Sequence, residues 1–229
     1  MLEGIYGNLV SSNVLTRTLF MRQGQNLGTG FTLDLESGHF LITAKHVLEQ
    51  PETTQSIEVF HENQWRAVQV EPITVSDKDF DGIALKPRGR ISHDLPLAHS
   101  CEMIVSQEVF FLGFPLGLFT DGSLHNNGFP IPFVKRATLS GLGGADNFPL
   151  LFLDGIGNPG FSGGPVVSLM HGSQNPAVIG VISDYKCHEV PIFYHERKLE
   201  MVHRENTGII TACGIKALID AIASKTNPS

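Results

Sequence analysis

The sequence lacks several features that would indicate a membrane or nucleic-acid-binding protein. No apolar run is long enough to span a bilayer. Basic residues are few, with 16 Lys and Arg against 23 Asp and Glu, and the net charge of −7 argues against a nucleic-acid-binding surface. Cysteine is also scarce: the three cysteines form an odd number without the spacing of a disulfide framework. These absences predict a protein with neither a membrane span nor a nucleic-acid partner.

Two features bear on the cellular compartment. The first residues lack the basic segment and following apolar segment of a secretory signal peptide. Cys101, Cys187 and Cys213 are typical of free thiols in a reducing compartment. We therefore expect a cytoplasmic protein.

Glycine and proline, in contrast, are abundant. The 24 glycines and 13 prolines favour many short strands joined by tight turns. Six β-rich segments precede residue 90, at 14–20, 28–33, 39–44, 57–60, 65–70 and 83–86. Six more follow a connector at 87–100, at 109–114, 133–139, 150–153, 165–170, 177–183 and 207–212. Clear helical spacing of apolar residues occurs at 215–222, near the end of the chain.

The segment 157–165, Gly-Asn-Pro-Gly-Phe-Ser-Gly-Gly-Pro, carries the strongest functional signal. A nucleophilic serine needs an exposed hydroxyl and backbone N–H groups that converge where an oxyanion forms. Gly160, two residues before Ser162, permits the dihedrals that turn such N–H groups inward. A glycine-rich turn with an incidental serine is equally compatible with this segment alone.

Two upstream residues are candidate partners for that serine. His46 ends an apolar strand, where a packed core fixes the ring and leaves one nitrogen open, as a general base requires. Asp81 leads directly into another apolar strand, although aspartate is a poor strand residue, and a carboxylate there can orient a histidine. Asp79 is the competing choice, and Asp81 is preferred because it adjoins the strand.

The order His, Asp, Ser resembles that of the chymotrypsin-type triad. Three motifs carry the resemblance: Thr-Ala-Lys-His at 43–46, Asp-Gly-Ile-Ala-Leu at 81–85 and Gly-Phe-Ser-Gly-Gly-Pro at 160–165. Together they are similar to the signature motifs of trypsin-like serine peptidases. Their compact spacing is closer to bacterial HtrA/Deg-type protease domains, here without a recognisable PDZ domain.

This resemblance implies an all-β fold of two antiparallel six-stranded β-barrels, chymotrypsin-like, with a C-terminal α-helix. Residues 1–95 would form the N-terminal barrel with His46 and Asp81. Residues 96–229 would form the C-terminal barrel with Ser162, followed by the helix. The activity implied is that of a serine endopeptidase, which hydrolyses a polypeptide substrate through an acyl-enzyme and needs no cofactor or metal.

The resemblance also assigns roles by position. Ser162 would be the nucleophile, His46 the general base and acid, and Asp81 the orienting carboxylate. The N–H groups of Gly160 and Ser162 would form the oxyanion hole, and Ser183 would end the strand that pairs with the substrate backbone.

At two positions this sequence departs from the family that it resembles in a way that concerns substrate specificity. Ile156 stands where trypsin-like enzymes that prefer basic substrates keep an aspartate, and Tyr185 stands where related enzymes often have glycine. We therefore expect a narrowed pocket that accepts a small or medium apolar residue before the scissile bond. No Ile-Val-Gly-Gly sequence is present, so cleavage of a zymogen is not the expected switch.

Two other motifs resemble binding sites but lack the context that such sites require. The pattern G-x-G-x-x-G at 155–160 matches a dinucleotide-binding fingerprint, but it leads into a turn and a strand rather than a helix. A loose group of His and Glu residues at 188–203 lacks metal-binding spacing, so the segment 186–206 is interpreted as a solvated loop, with a lid or partner contact as the alternative.

A different class of function stays open. The fold would then be catalytically idle, or activated by a partner, and would serve as a peptide-binding or sensing module. An intact triad speaks against a role in binding alone. A regulatory protein partner or a homo-oligomer is compatible with either interpretation.

Overall fold

The computed structural model describes residues 9–122, 125–169, 176–195 and 197–226. Most of these residues lie in strands, which form two separate sheets. Residues 1–8, 123–124, 170–175, 196 and 227–229, which the predicted domains and strands include in part, lie outside the described residues. No helix in the described ranges has both the length and the apolar character that crossing a membrane requires.

The first sheet is a closed antiparallel barrel with the strand order β1-β2-β3-β6-β5-β4. Its strands are β1 (Thr18–Gln23), β2 (Asn26–Leu35), β3 (Gly38–Ala44), β4 (Ser56–His61), β5 (Gln64–Thr74) and β6 (Gly82–Pro87). Each contains or overlaps one of the six segments predicted before residue 90. Closure leaves no free edge, which stabilises a sheet built from short strands.

The second sheet has seven strands in the order β11-β8-β9-β10-β13-β12-β7. They are β7 (Ala98–His99), β8 (Glu108–Gly113), β9 (Phe133–Ala145), β10 (Phe148–Asp154), β11 (Pro165–Leu169), β12 (Pro176–Tyr194) and β13 (Arg197–Gly214). β11 also pairs with β12, which closes six of these strands into a ring, and β7 adds only two residues to β12. The prediction of two antiparallel six-stranded barrels is confirmed; its domain boundaries stay a prediction.

Two α-helices accompany the sheets in the ranges that the structure describes. The C-terminal helix α2 (Lys216–Thr226) confirms the helical spacing predicted from residue 215, and it buries Leu218 and Ile222. A short helix α1 (Ser12–Arg17) precedes β1, so the prediction of a strand over 14–20 is wrong for its first four residues. Its last residue, Arg17, is almost fully buried, and its guanidinium group contacts the carboxylate of Asp34.

One segment differs from the sequence-based interpretation. The sequence predicts a solvated loop at residues 186–206, but β12 and β13 continue through most of this segment and pair with each other as far as Tyr194 and Arg197. The interpretation was wrong because most of these side chains are exposed on both faces, so the sequence shows no alternation of apolar and polar residues.

The two sheets share a hydrophobic core. Phe31 and Ile42 of the first barrel belong to the same buried cluster as Leu112 and Val181 of the second sheet and Leu218 of α2. Burial of this common cluster holds the two halves against each other. The cleft between them is where the predicted catalytic residues meet.

Candidate active site

His46 and Asp81 are brought together by the pairing of β3 with β6. Ala44 at the end of β3 lies opposite Gly82 at the start of β6, so the residues just outside both strands are neighbours. Nδ1 of His46 lies 2.8 Å from Oδ2 of Asp81, and the backbone N–H of His46 donates to Oδ1 at 3.2 Å. The carboxylate thereby holds His46 at one point on the ring and one on the backbone, as orientation of a general base requires.

The structure distinguishes Asp81 from Asp79, the competing candidate. The backbone N–H of Asp79 donates to the side chain of Asp77, and His46 contacts Asp81. The hydrogen bond to Asp81 raises the pKa of His46 above its ordinary value. Burial alone would raise the pKa of Asp81, but the hydrogen bonds from His46 and Ser183 outweigh burial and lower it.

Ser162 reaches this pair through Ser183. The Ser162 hydroxyl donates to the backbone carbonyl of Ser183 at 3.2 Å, and the Ser183 hydroxyl donates to Oδ2 of Asp81 at 2.7 Å. Among the described residues no hydrogen bond joins Ser162 directly to His46. The four residues are therefore connected through the backbone carbonyl and the hydroxyl of Ser183, with the Ser162 hydroxyl turned toward that carbonyl.

The predicted oxyanion loop surrounds Gly160. This residue has φ +100°, and a Cβ atom there would lie 2.2 Å from the carbonyl oxygen of Phe114, so glycine is required. The carbonyl of Pro159 accepts a hydrogen bond of 2.8 Å from the N–H of Leu116. A trans peptide bond points its N–H away from its carbonyl, so the N–H of Gly160 faces the other way.

The backbone N–H groups of this loop differ in whether they donate a hydrogen bond. That of Phe161 donates to the carbonyl of Asn158, whereas those of Gly160 and Ser162 have no acceptor among the residues that the structure describes. The unpaired N–H groups of Gly160 and Ser162 fit the requirement for binding a developing negative charge.

Thr29 of β2 holds this loop from the opposite half of the molecule. Its buried hydroxyl donates to the carbonyl of Gly160 at 2.6 Å and accepts from the N–H of Phe114 at 3.1 Å. Its backbone N–H donates to the carbonyl of Ser162 at 2.9 Å. The first barrel thus contributes directly to the conformation of the serine loop.

A small pocket lies beside Ser162, with about 10 Å³ of free volume, close to the space of a single water molecule. Tyr185, Asp184, Ile182 and Ile210 are among the residues that line it. Tyr185 packs against the backbone at Gly157, where an added Cβ would lie 2.8 Å from that of Tyr185. The tyrosine therefore narrows this pocket, and its contact with a substrate side chain stays a prediction.

Ile156 occupies a different position from the one expected. Its side chain is 60% exposed and is not among those that line the pocket, so the predicted contact with a substrate side chain lacks structural support. Its carbonyl instead accepts a hydrogen bond of 2.6 Å from Nζ of Lys135, which also donates to Oδ1 of Asn158 at 2.8 Å. The same ammonium lies 5.4 Å from the ring centroid of Phe161.

Lys135 and Thr29 are site-shaping residues that sequence reasoning missed. Neither lies in a recognisable motif, because each acts through a backbone carbonyl of a distant segment. Thr29 stood inside the predicted strand segment 28–33, and its position between Gly28 and Gly30 was the one available signal. Nothing in the sequence around Lys135 distinguishes it from an ordinary exposed lysine on a strand.

The structure also describes most of the dinucleotide-like motif and of the loose group of His and Glu residues. Residues 155–160 lead directly through a turn into the strand β11 rather than into a helix. In the described part of the chain, no three His, Cys, Asp or Glu residues lie close enough together to hold a metal ion. Glu196, a member of the loose His and Glu group, lies outside the described residues.

Comparisons with solved structures show the same fold in several proteases. The Rv3671c protease of M. tuberculosis H37Rv, in an inactive form, is 15% identical with a TM-score of 0.59, and the match covers 96% of this chain and 94% of that one. The HtrA-type protease AlgW with a tripeptide is 18% identical with a TM-score of 0.60, over 95% of this chain and 62% of that chain. A serine endoprotease from Yersinia pestis is 18% identical with a TM-score of 0.57, over 93% of this chain and 64% of that chain.

The likeness to these structures, at 15–18% identity, shows the fold. The chain spans less than two thirds of the length of the AlgW and Yersinia pestis chains. A comparison with curated protein sequences finds no match. The sequence model of the family described as "Trypsin-like peptidase domain" matches residues 28–181, which is more than half of the chain and includes His46, Asp81 and Ser162. The chain therefore belongs to the trypsin-like peptidase family.

Proposed function

We propose that this protein is a serine endopeptidase with Ser162 as nucleophile, His46 as general base and acid, and Asp81 as the orienting carboxylate. The observation that carries the proposal is the network of hydrogen bonds from His46 through Asp81 and Ser183 to Ser162. Nδ1 of His46 is held by Asp81, which leaves Nε2 for proton transfer, and half of the surface of the His46 side chain is exposed.

In the proposed reaction, Oγ of Ser162 attacks the carbonyl carbon of the scissile peptide bond while its proton passes to Nε2 of His46. The N–H groups of Gly160 and Ser162 bind the resulting oxyanion. The carbon–nitrogen bond breaks as His46 returns the proton to the leaving amine. Water then attacks the acyl-enzyme, again with His46 as base, which releases the carboxylic acid product and restores Ser162.

The substrate is proposed to be a polypeptide with a small apolar residue before the scissile bond. The pocket beside Ser162 supports this preference because Tyr185 leaves little free space in it. The backbone of β12 at Ser183 and Tyr185 is the proposed pairing partner of the substrate, which would add a strand at this edge.

The proposed setting is a reducing, cytoplasmic one. Cys101, Cys187 and Cys213 are all free thiols, which supports such a compartment. Burial raises the pKa of the Cys213 thiol to about 11, so this cysteine is unreactive at neutral pH.

One observation favours a second candidate function. The Ser162 hydroxyl bonds to the carbonyl of Ser183 rather than to His46, so attack requires that it first leave this acceptor. A protein that keeps this arrangement would be a peptide-binding module, or an enzyme that a partner activates. Catalytic hydrogen bonds are often incomplete in the absence of substrate, however, and for this reason we prefer the active enzyme.

Labelling with a fluorophosphonate probe tests the proposal, because the probe reacts with activated serines. We expect the wild-type protein to be labelled and Ser162→Ala to be unlabelled, with His46→Ala strongly reduced. Ser140→Ala, which removes an exposed serine on β9, is the matched control and should label like the wild type. Absence of wild-type labelling under all conditions would sink the proposal, and labelling that depends on an added partner would favour the latent enzyme.

A further inference from the structure

β12 and β13 extend beyond the second barrel as a two-stranded arm, defined here as residues 184–194 of β12 and 197–207 of β13. One edge of β13 pairs with β12 along the arm. The other edge pairs with β10 only from Ile209 onward, and the carbonyl of Gly208 accepts one more hydrogen bond, from the N–H of Gly155. Between residues 197 and 207 no strand in the described part of the chain pairs with this second edge, which is termed the β13 edge.

A two-stranded arm is a weak structure by itself. An isolated pair of strands is at best marginally stable in water, and a third or fourth strand is usually needed to stabilise it. Most side chains of the arm are exposed, and they include apolar ones: Met201 is 62% exposed and Val202 54%. A further strand along the arm would supply partners for the free backbone groups and cover these apolar side chains.

The β13 edge is the more regular of the two edges of the arm. β12 contains Pro191, which has no N–H to donate. Residues 197–207 of β13 contain neither proline nor glycine, so alternate residues present an N–H and a carbonyl at the edge without interruption. At its base, the side chain of Asn206 donates to the carbonyl of Gly157 at 2.6 Å, so an added strand has free access from residue 205 outward.

A second copy of this chain can add its own β13 to this edge by two-fold symmetry. In an antiparallel pair, two opposed residues either exchange hydrogen bonds or both point their backbone groups away. Because the residues that point outward alternate along a strand, each residue must face one an even number of positions away in the sequence. A symmetric pair of β13 strands therefore has one residue on the two-fold axis, opposite its own copy.

The charges of β13 select one residue for the axis. With Glu200 or Arg204 on the axis, that residue would face its own copy, and like charges would meet. Met201 on the axis would place a lysine opposite an arginine, and His203 would bring no opposite charges together. With Val202 on the axis, Glu200 of each copy lies opposite Arg204 of the other, and no like charges face each other.

We propose that the β13 edge binds a second copy of this chain, with the two β13 strands antiparallel and Val202 on the two-fold axis. The two arms then form one four-stranded sheet in the order β12-β13-β13-β12. Arg204 already lies 3.1 Å from Glu189 of β12, and both side chains are exposed, so in the dimer it lies between two carboxylates. The proposal concerns assembly alone and does not rest on the proposed function.

Charge reversal at the two facing positions tests the dimer by analytical ultracentrifugation. We expect the wild type to sediment as a dimer. Glu200→Arg and Arg204→Glu should each raise the dimer Kd by about a hundredfold or more, because each variant places two pairs of like charges opposite each other. Lys186→Glu, which reverses an exposed charge on β12 away from the β13 edge, is the matched control and should dimerise like the wild type.

An equimolar mixture of the two variants tests the register. In a mixed dimer the introduced arginine of one copy faces the introduced glutamate of the other, and the native Glu200 and Arg204 face each other. The mixture should therefore dimerise with a Kd within a few-fold of the wild type, although neither variant does so alone. Recovery in the mixture also shows that both variants are folded.

The double variant Glu200→Arg with Arg204→Glu provides a second test, since it restores opposite charges in a single chain and should dimerise. Three results would overturn the proposal: a wild type that stays monomeric at its highest soluble concentration, single variants that dimerise as well as the wild type, or failure of both the mixture and the double variant to dimerise.

Discussion

The hydroxyl of Ser183 donates a hydrogen bond of 2.7 Å to Oδ2 of Asp81, the same carboxylate oxygen that lies 2.8 Å from Nδ1 of His46. Ser183 belongs to β12 of the second sheet, and Asp81 precedes β6 of the first barrel. This contact joins the two halves of the molecule at the carboxylate that orients the proposed general base.

Ser183→Ala should therefore weaken catalysis without removing any of the three proposed catalytic residues. Loss of one hydrogen bond to a charged group corresponds to about tenfold in kcat, and the pKa of Asp81 should rise toward its ordinary value. Asp81 stays ionised at neutral pH, so the pH optimum should not move. Steady-state kinetics with a peptide ester measure the effect, and Ser183→Thr, which keeps a hydroxyl, should recover much of the rate.

The pH dependence of activity should report the titration of His46. The base must be neutral to accept the serine proton, so activity falls as the pH drops through the His46 pKa, which the hydrogen bond to Asp81 raises. In Asp81→Asn this bond is lost, so the acid limb of kcat/KM should shift to lower pH while kcat drops by about 10⁴-fold. A limb that stays in place would show that another group controls it.

The size of the pocket should depend on Tyr185. Tyr185→Gly removes the ring that packs over Gly157, and we expect kcat/KM for substrates with phenylalanine before the scissile bond to rise at least about tenfold relative to alanine. Ile156→Gly is the matched control, because this side chain is exposed and does not line the pocket. A profile of peptide-library cleavage distinguishes the two variants; a shift with Ile156→Gly would contradict the assignment of the pocket wall.

The conformation of the serine loop should depend on the hydroxyl of Thr29. Thr29→Val keeps the shape of the side chain but leaves the carbonyl of Gly160 and the N–H of Phe114 without this partner, at a cost of about 1–3 kcal/mol for a buried unpaired group. We expect a lower free energy of unfolding and a kcat reduced by up to about 100-fold, because the oxyanion donors are displaced.

Thr29→Ser provides the control for this prediction. It retains the hydroxyl and loses only a methyl group, so its kcat should stay within a few-fold of the wild type although its stability falls. Chemical denaturation and ester hydrolysis measured on the same preparations separate the two effects. Equal kcat values for Thr29→Val and Thr29→Ser would show that the hydroxyl does not position the loop.

Much of the candidate site was accessible from the sequence because its residues stand at the ends of short, strongly apolar strands. His46 follows β3 and Asp81 precedes β6, and the antiparallel pairing of these strands alone brings them together. The turn around Gly160 was likewise predictable, since its positive φ requires glycine.

Other features depend on contacts between distant segments and have no local signal. The short α1 helix is fixed by the burial of Arg17 against Asp34, which a six-residue stretch does not reveal. The position of Ile156 is inferred by analogy, and the hydrogen bond from Lys135 to its carbonyl joins two segments that are distant in the sequence. The orientation of the Ser162 hydroxyl is a rotamer choice, which no sequence pattern determines.

The hydrogen bond from Thr29 to the loop of Ser162 makes the candidate site depend on contact between the two halves. Thr29 of the first barrel holds the serine loop of the second half, and His46 and Asp81 lie in the first half, so neither half carries a complete site. The hydrogen bonds between the halves have a length of about 3 Å, so a small displacement of one half against the other breaks them. The same displacement leaves the hydrogen bonds between strands within each sheet intact. We therefore expect substitutions at this junction, unlike those in either core, to lower activity while both barrels remain folded.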